Sequence, residues 1–115
     1  MAYLYLESIA CVDQSEISED EPYLLVNGKK VWEGDMSQGE AINFQSEDFY
    51  GANYIEPIPF GRSATMTFWE DDGNHWYDRN DYLGEKVAYS WQASEENVTV
   101  RFTDDGTYSL TYAVA

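Results

Sequence analysis

Residues 69–85 read WEDDGNHWYDRNDYLGE. Before them, Ser63, Thr65 and Thr67 alternate with Ala64, Met66 and Phe68. After them, Lys86 to Trp91 alternates again, with Val87, Tyr89 and Trp91 facing one way. Period-two alternation on both sides of a turn-rich segment predicts two strands joined by a loop. Inside the loop, Glu70, Asp71, Asp72, Asp78 and Asp81 sit among Gly73, Asn74 and Asn80, residues that let a chain turn sharply. These carboxylates repel one another, and the loop offers only Arg79 and His75 in compensation. Two readings follow. One is a solvated acidic turn, since charge runs are commonly plain surface. The other is a set of oxygen donors for a hard divalent cation, for which calcium suits better than zinc or copper.

Working outward, a second acidic stretch strengthens the cation reading. Asp13 to Glu21 reads DQSEISEDE, five carboxylates in nine residues, between an apolar strand and a PYLLV run. Calcium takes about six to eight oxygens, more than one loop usually supplies, so two loops meeting at one end of a domain would serve it. The pattern D-x(6)-D-E-P-Y-L-L-V, from Asp13 to Val26, resembles the first calcium loop and following strand of C2 domains. W-E-D-D…D-Y-L-G-E resembles their third loop, of the form D-x-D…D-F-I-G-E. The resemblance makes Asp13 the first ligand and Asp20 or Glu21 the acid before Pro-Tyr. It makes Glu70 and Asp72 the D-x-D pair and Asp81 the last aspartate. Glu16 and Asp78 join the candidate ligand set as neighbouring carboxylates without a family counterpart. The departures are Glu70 where the family has Asp, Glu21 directly before Pro22, and a gap between Asp72 and Asp81 about three residues longer than the family's. The resemblance implies a calcium-binding sandwich. It also places membrane insertion on the bulky loop residues Trp76 and Tyr77. The alternative for these two and Tyr82 is an aromatic lid over the loop base.

The rest of the chain reads as strands. Tyr3 to Val12 is apolar on both faces, with Leu4, Leu6, Ala10 and Val12 opposite Tyr3, Tyr5, Ile9 and Cys11, which predicts a central strand. Pro22 opens a strand to Val26, and Asn27-Gly28 before KKVW is a hairpin signal because both turn positions need positive φ. Lys29 and Lys30 read as charge balance on an exposed strand. Residues 33–61 are the least legible. Pro57 and Pro59 exclude a helix there, a short strand is expected at Ala41–Phe44, and an edge strand is expected around Ile55–Phe60. Phe49, Tyr50, Tyr54 and Phe60 either fill the core or form a sugar- or peptide-binding surface. Val98, Val100 and Phe102 form one arm of a hairpin that turns at Thr103–Gly106 and returns through Tyr108, Leu110, Tyr112 and Val114. Asp104 and Asp105 read most simply as turn residues, with a position near the other acids left open. There is no helical periodicity and no internal repeat. About eight short strands with turns between them make residues 1–115 a single all-β domain, an antiparallel β-sandwich, and the resemblance implies that it is C2-like.

Composition narrows the function. Twenty-two acids against six bases give a formal net charge of −16. Direct nucleic-acid binding needs a cationic surface and is excluded on this ground. A hydrophobic fraction of 43% and an aromatic fraction of 17% rule out a disordered acidic tail. Cys11 is the only cysteine, so no intrachain disulfide forms. The first residues, MAYLYLESI, show neither a basic leader nor a long apolar segment. The expectation is a cytoplasmic protein, a module of a longer chain, or export without an N-terminal signal. Catalysis finds little support. His75 is the only histidine, no G-x-S-x-G surrounds a serine, and one His with one Cys cannot hold zinc. A carboxylate pair for glycoside cleavage cannot be singled out among so many acids. An EF-hand is excluded because its ligand spacing is absent. The leading expectation is a non-enzymatic module that binds calcium between two acidic loops. Its role would be calcium-dependent contact with a protein, carbohydrate or membrane partner, or calcium-dependent stability. The rival is an acidic interaction or inhibitor domain that mimics nucleic acid without metal. Eleven of the 22 acids lie in the two loop stretches, which favours metal.

Overall fold

The computed structural model of the chain describes residues 1–13, 21–45, 53–71, 81–103 and 106–115, with Asp81 described by its backbone alone. Its elements are β1 (Ala2–Asp13), β2 (Pro22–Val26), β3 (Lys29–Glu33), β4 (Ala41–Asn43), β5 (Ile58–Phe60), β6 (Ser63–Glu70), β7 (Asp81–Tyr89), β8 (Val98–Phe102) and β9 (Thr107–Val114). A 3-10 turn at Ser90–Ser94 joins β7 to β8. One sheet runs β4-β1-β9-β8, with β5 also paired to β1, and the other runs β3-β2-β6-β7. Every pairing is antiparallel. The molecule is therefore an all-β sandwich of two antiparallel sheets, as the alternation of the sequence requires.

The core lies between the sheets. Ala64, Met66 and Phe68 of β6 face it, and Phe68 bridges the layers, its ring centroid 5.1 Å from Phe102 and 4.8 Å from Tyr108. At the other flank Trp32 meets Phe44 edge to face at 5.4 Å. Such contacts between offset or tilted rings are the arrangement that the aromatic quadrupole favours.

β1 is central, as its two-sided apolarity predicts, but strict alternation assigns its upper half to the wrong faces. The β1–β9 register slips between Leu6 and Ser8 and again between Cys11 and Asp13. The first bulge turns Ile9 and Cys11 into the core with Leu4 and Leu6, while Val12 is exposed. A bulge inserts one residue and so inverts every face beyond it. Where β4 stops, the free edge of β1 is completed by other groups. Phe44 N donates to Glu7 O at 2.8 Å, and the Gln45 amide donates to Leu6 O at 2.7 Å. The hairpin at Asn27-Gly28 forms as expected, with φ of 50° and 82° and Val26 opposite Lys29.

Candidate metal centre

Strand direction decides which connections share an end. β6 climbs to Glu70, where Pro22 is its partner on β2 and Asp81 its partner on β7. In the other sheet β1 climbs to Asp13, opposite Thr107 at the start of β9. The β1–β2 connection joins the two tops. The β1–β2, β6–β7 and β8–β9 connections therefore all leave from one end of the sandwich, and so does the β3–β4 connection after Glu33. Each carries acids.

Four of the eight candidate ligands are placed. Asp13 is exposed at the end of β1, and Glu21 is exposed just before β2. Asp71 N donates to Glu21 O at 2.9 Å, which extends the β2–β6 ladder one rung beyond Glu70 and holds the two loop mouths together. Asp81 begins β7. Glu70 differs from the rest. It lies on the core-facing side of β6, in line with Met66 and Phe68, and is only 1% exposed. Burying a carboxylate is costly unless it is paired or coordinated. Glu16, Asp20, Asp72 and Asp78 lie outside the described residues, as do His75, Trp76 and Tyr77 of the same loop and Phe49 and Tyr50 of the aromatic-rich segment.

Among the described residues, no group of three or more His, Cys, Asp or Glu side chains is close enough to hold a metal ion. The donor chemistry nevertheless fits calcium and not zinc. All candidate donors are oxygens, and the strand ends that carry them are held by ladder hydrogen bonds on both sheets.

Two further connections reach this end, the second not legible in the sequence. Asp104 and Asp105 lie outside the described residues, and Thr107, which follows them, is the partner of Asp13. Glu33 and Asp35 follow from Gly34 N donating to Pro22 O at 3.1 Å, which draws the β3–β4 connection against the start of β2. Together with Glu21 and Asp71 they border an open cleft of about 160 Å³. Nothing in their local sequence marks them, because the pairing of β3, β2 and β6 within one sheet is what gathers them.

Below the loops, an aromatic row ties three strands together. Trp69 lies parallel to Tyr23 at 6.4 Å and meets Tyr82 edge to face at 5.1 Å. Tyr82 thus belongs to the sheet beneath the loop.

No family model matches the chain, and no curated protein matches its sequence. Among solved structures, the Drosophila C2-DSL-EGF1 structure is similar with a TM-score of 0.47 at 12% identity, over 98% of this chain and 65% of that one. This chain spans less than two-thirds of that structure's length.

Proposed function

We propose that the chain is a calcium-binding, C2-like, non-catalytic module whose acidic end acquires its working shape with the cation bound. The observation that carries this reading is topological: the strand ends bearing Asp13, Glu21, Glu70 and Asp81 leave from one end of the sandwich. Carboxylates gathered at one end repel one another and oppose the compact state. Calcium supplies the missing charge and accepts the irregular, many-oxygen shell that loops from two sheets can offer. The chain's own part is to hold the strand ends that carry the two acidic stretches at fixed separation. The bound ion then serves a calcium-dependent contact with a protein, carbohydrate or membrane partner, or stiffens this end of the domain.

The test is calorimetric titration of chelator-treated protein with calcium and separately with magnesium. A formed site prefers calcium by about tenfold or more, since magnesium demands a small rigid octahedron and keeps its waters. Equal affinities would mean diffuse counterion attraction. The metal-free acidic interaction domain would then be the better description.

A further inference from the structure

The two sheets turn different surfaces outward. On the β4-β1-β9-β8 sheet, β8 and β9 present Thr99, Arg101, Ser109 and Thr111, with Thr99 and Thr111 joined through their hydroxyls at 2.9 Å. On the β3-β2-β6-β7 sheet the outer face carries a row of aromatic rings with aliphatic and threonine side chains behind it. Register sets Tyr23, Trp69 and Tyr82 side by side, with Leu25 and Thr67 in the next row and Thr65 and Val87 beyond. Tyr82 is 43% exposed and Tyr89, at the far end of β7, 42%. Among the described residues no element forms a third layer over this face. Three aromatic rings side by side, with Leu25 and Val87 in the rows behind them, have the composition of a docking surface more than of ordinary solvated sheet.

Charge indicates what covers it. Two of the three rows end in a glutamate: Glu33, which also bonds Lys30, lies beside Tyr23 on the β3 edge, and Glu85 lies beside Thr67 on the β7 edge. Beyond the aromatic row lies the cleft bordered by Glu21, Asp35 and Asp71. Among the described residues, the base on this face, Lys30, already shows the preferred contact. Lys30 Nζ sits 4.7 Å from the Tyr23 ring centroid and 3.2 Å from a Glu33 oxygen, taking an aromatic face and a carboxylate together. A second copy of this chain is disfavoured, because association would set −16 against −16.

We propose that this face docks a basic amphipathic segment of another polypeptide. Its apolar side chains lie on the Tyr23–Trp69–Tyr82 row, and its Lys or Arg side chains meet the flanking carboxylates. The proposal does not rest on calcium binding, and its test is made in chelator so that the two can fail separately.

The probes are two synthetic octapeptides, one alternating Arg and Val and one alternating Arg and Ser, titrated into the folded protein at physiological ionic strength. A soluble neutral glucan is the third probe. The Arg–Val peptide should bind about tenfold or more tighter than the Arg–Ser peptide, because only it can use the apolar rows. The Tyr82→Ser/Val87→Ser variant should lose that advantage, while Thr99→Ala on the opposite sheet should keep it. Equal binding of the two peptides to the wild type overturns the proposal and needs no variant to fold. Wild-type affinity in the folded double variant also overturns it. Glucan binding that the double variant loses would assign the face to carbohydrate. Self-association that the double variant loses would assign it to a second copy.

Discussion

The two ends of the sandwich are closed by different chemistry. At the end opposite the acidic loops, neutral hydrogen bonds do the work. The Asn27 side chain accepts from Thr65 N at 2.9 Å, and Ser90 N donates to Arg62 O at 2.9 Å. Gln92, only 8% exposed, accepts through Oε1 from Tyr89 N at 2.8 Å and from the Tyr112 hydroxyl at 3.1 Å. At the acidic end the strands are equally well laddered, but the mouths carry Asp13, Glu21, Glu33, Asp35 and Asp71. One end is tied by neutral hydrogen bonds, whereas the other gathers carboxylates from four connections, with Lys30 bonded to one of them, Glu33. The lesson is that acidic and neutral connections are separated along the strand axis.

The largest expected difference between the ends is the response to calcium. At a hundredfold excess over its dissociation constant, an ion that binds only the folded form adds about 2.7 kcal/mol. For a domain of this size the melting temperature should rise on the order of 10 °C relative to chelator. Sodium chloride at matched ionic strength should raise it less and gradually, by screening alone. A calcium curve that coincides with the salt curve would erase the proposed contrast.

Next in size is a lesion at the neutral end. Gln92→Ala leaves the Tyr112 hydroxyl and Tyr89 N–H without their buried acceptor and should cost about 1–3 kcal/mol, measured by urea unfolding. The loss should be the same with calcium and with chelator. A calcium-dependent loss would show the ends to be coupled.

Smaller effects sharpen the acidic end. Asp72→Asn and Asp81→Asn should each weaken calcium binding by about tenfold, or 1.4 kcal/mol, in calorimetric titration. Because the β8–β9 turn leaves from the same end, Asp104→Asn should weaken it as well. An unaffected Asp104→Asn protein would confine the site to the first two loops.

The smallest effect is alkaline and belongs to the neutral end. Burial pushes the Tyr112 hydroxyl above its ordinary 10.0, and the nearby charge of Glu95 raises it further. A folded-state value above the unfolded one means that its contribution is full below about pH 10 and is lost as pH rises through the higher folded value. Melting curves taken across that range should fall less steeply for Tyr112→Phe than for the wild type, with or without calcium.

Much of the fold was legible before any coordinates. Alternation in residues 63–68 and 98–114, the Asn27-Gly28 turn and the two-sided apolarity of β1 are local consequences of pleat and turn geometry. The bulge in β1 was not, because nothing in Leu6-Glu7-Ser8 announces an extra residue until a partner strand sets the register. Lys29 and Lys30 illustrate the same limit. Their pairing with local acid was readable, and Lys30 does bond Glu33. That they lie on an edge strand, as do Lys86 on β7 and Arg101 on β8, follows only from strand order. Four of the six bases thus sit where a charge blunts unwanted strand pairing.

The sequence by itself determined the all-β character, the turn positions and the two acidic stretches, since each depends on residues adjacent in the chain. Tertiary structure alone decided which stretches share an end, that Glu70 points into the core, and that Tyr23, Trp69 and Tyr82 form one row. Those relations depend on the order and register of strands far apart in sequence. Such order is settled by the packing of a whole sheet and not by any one segment.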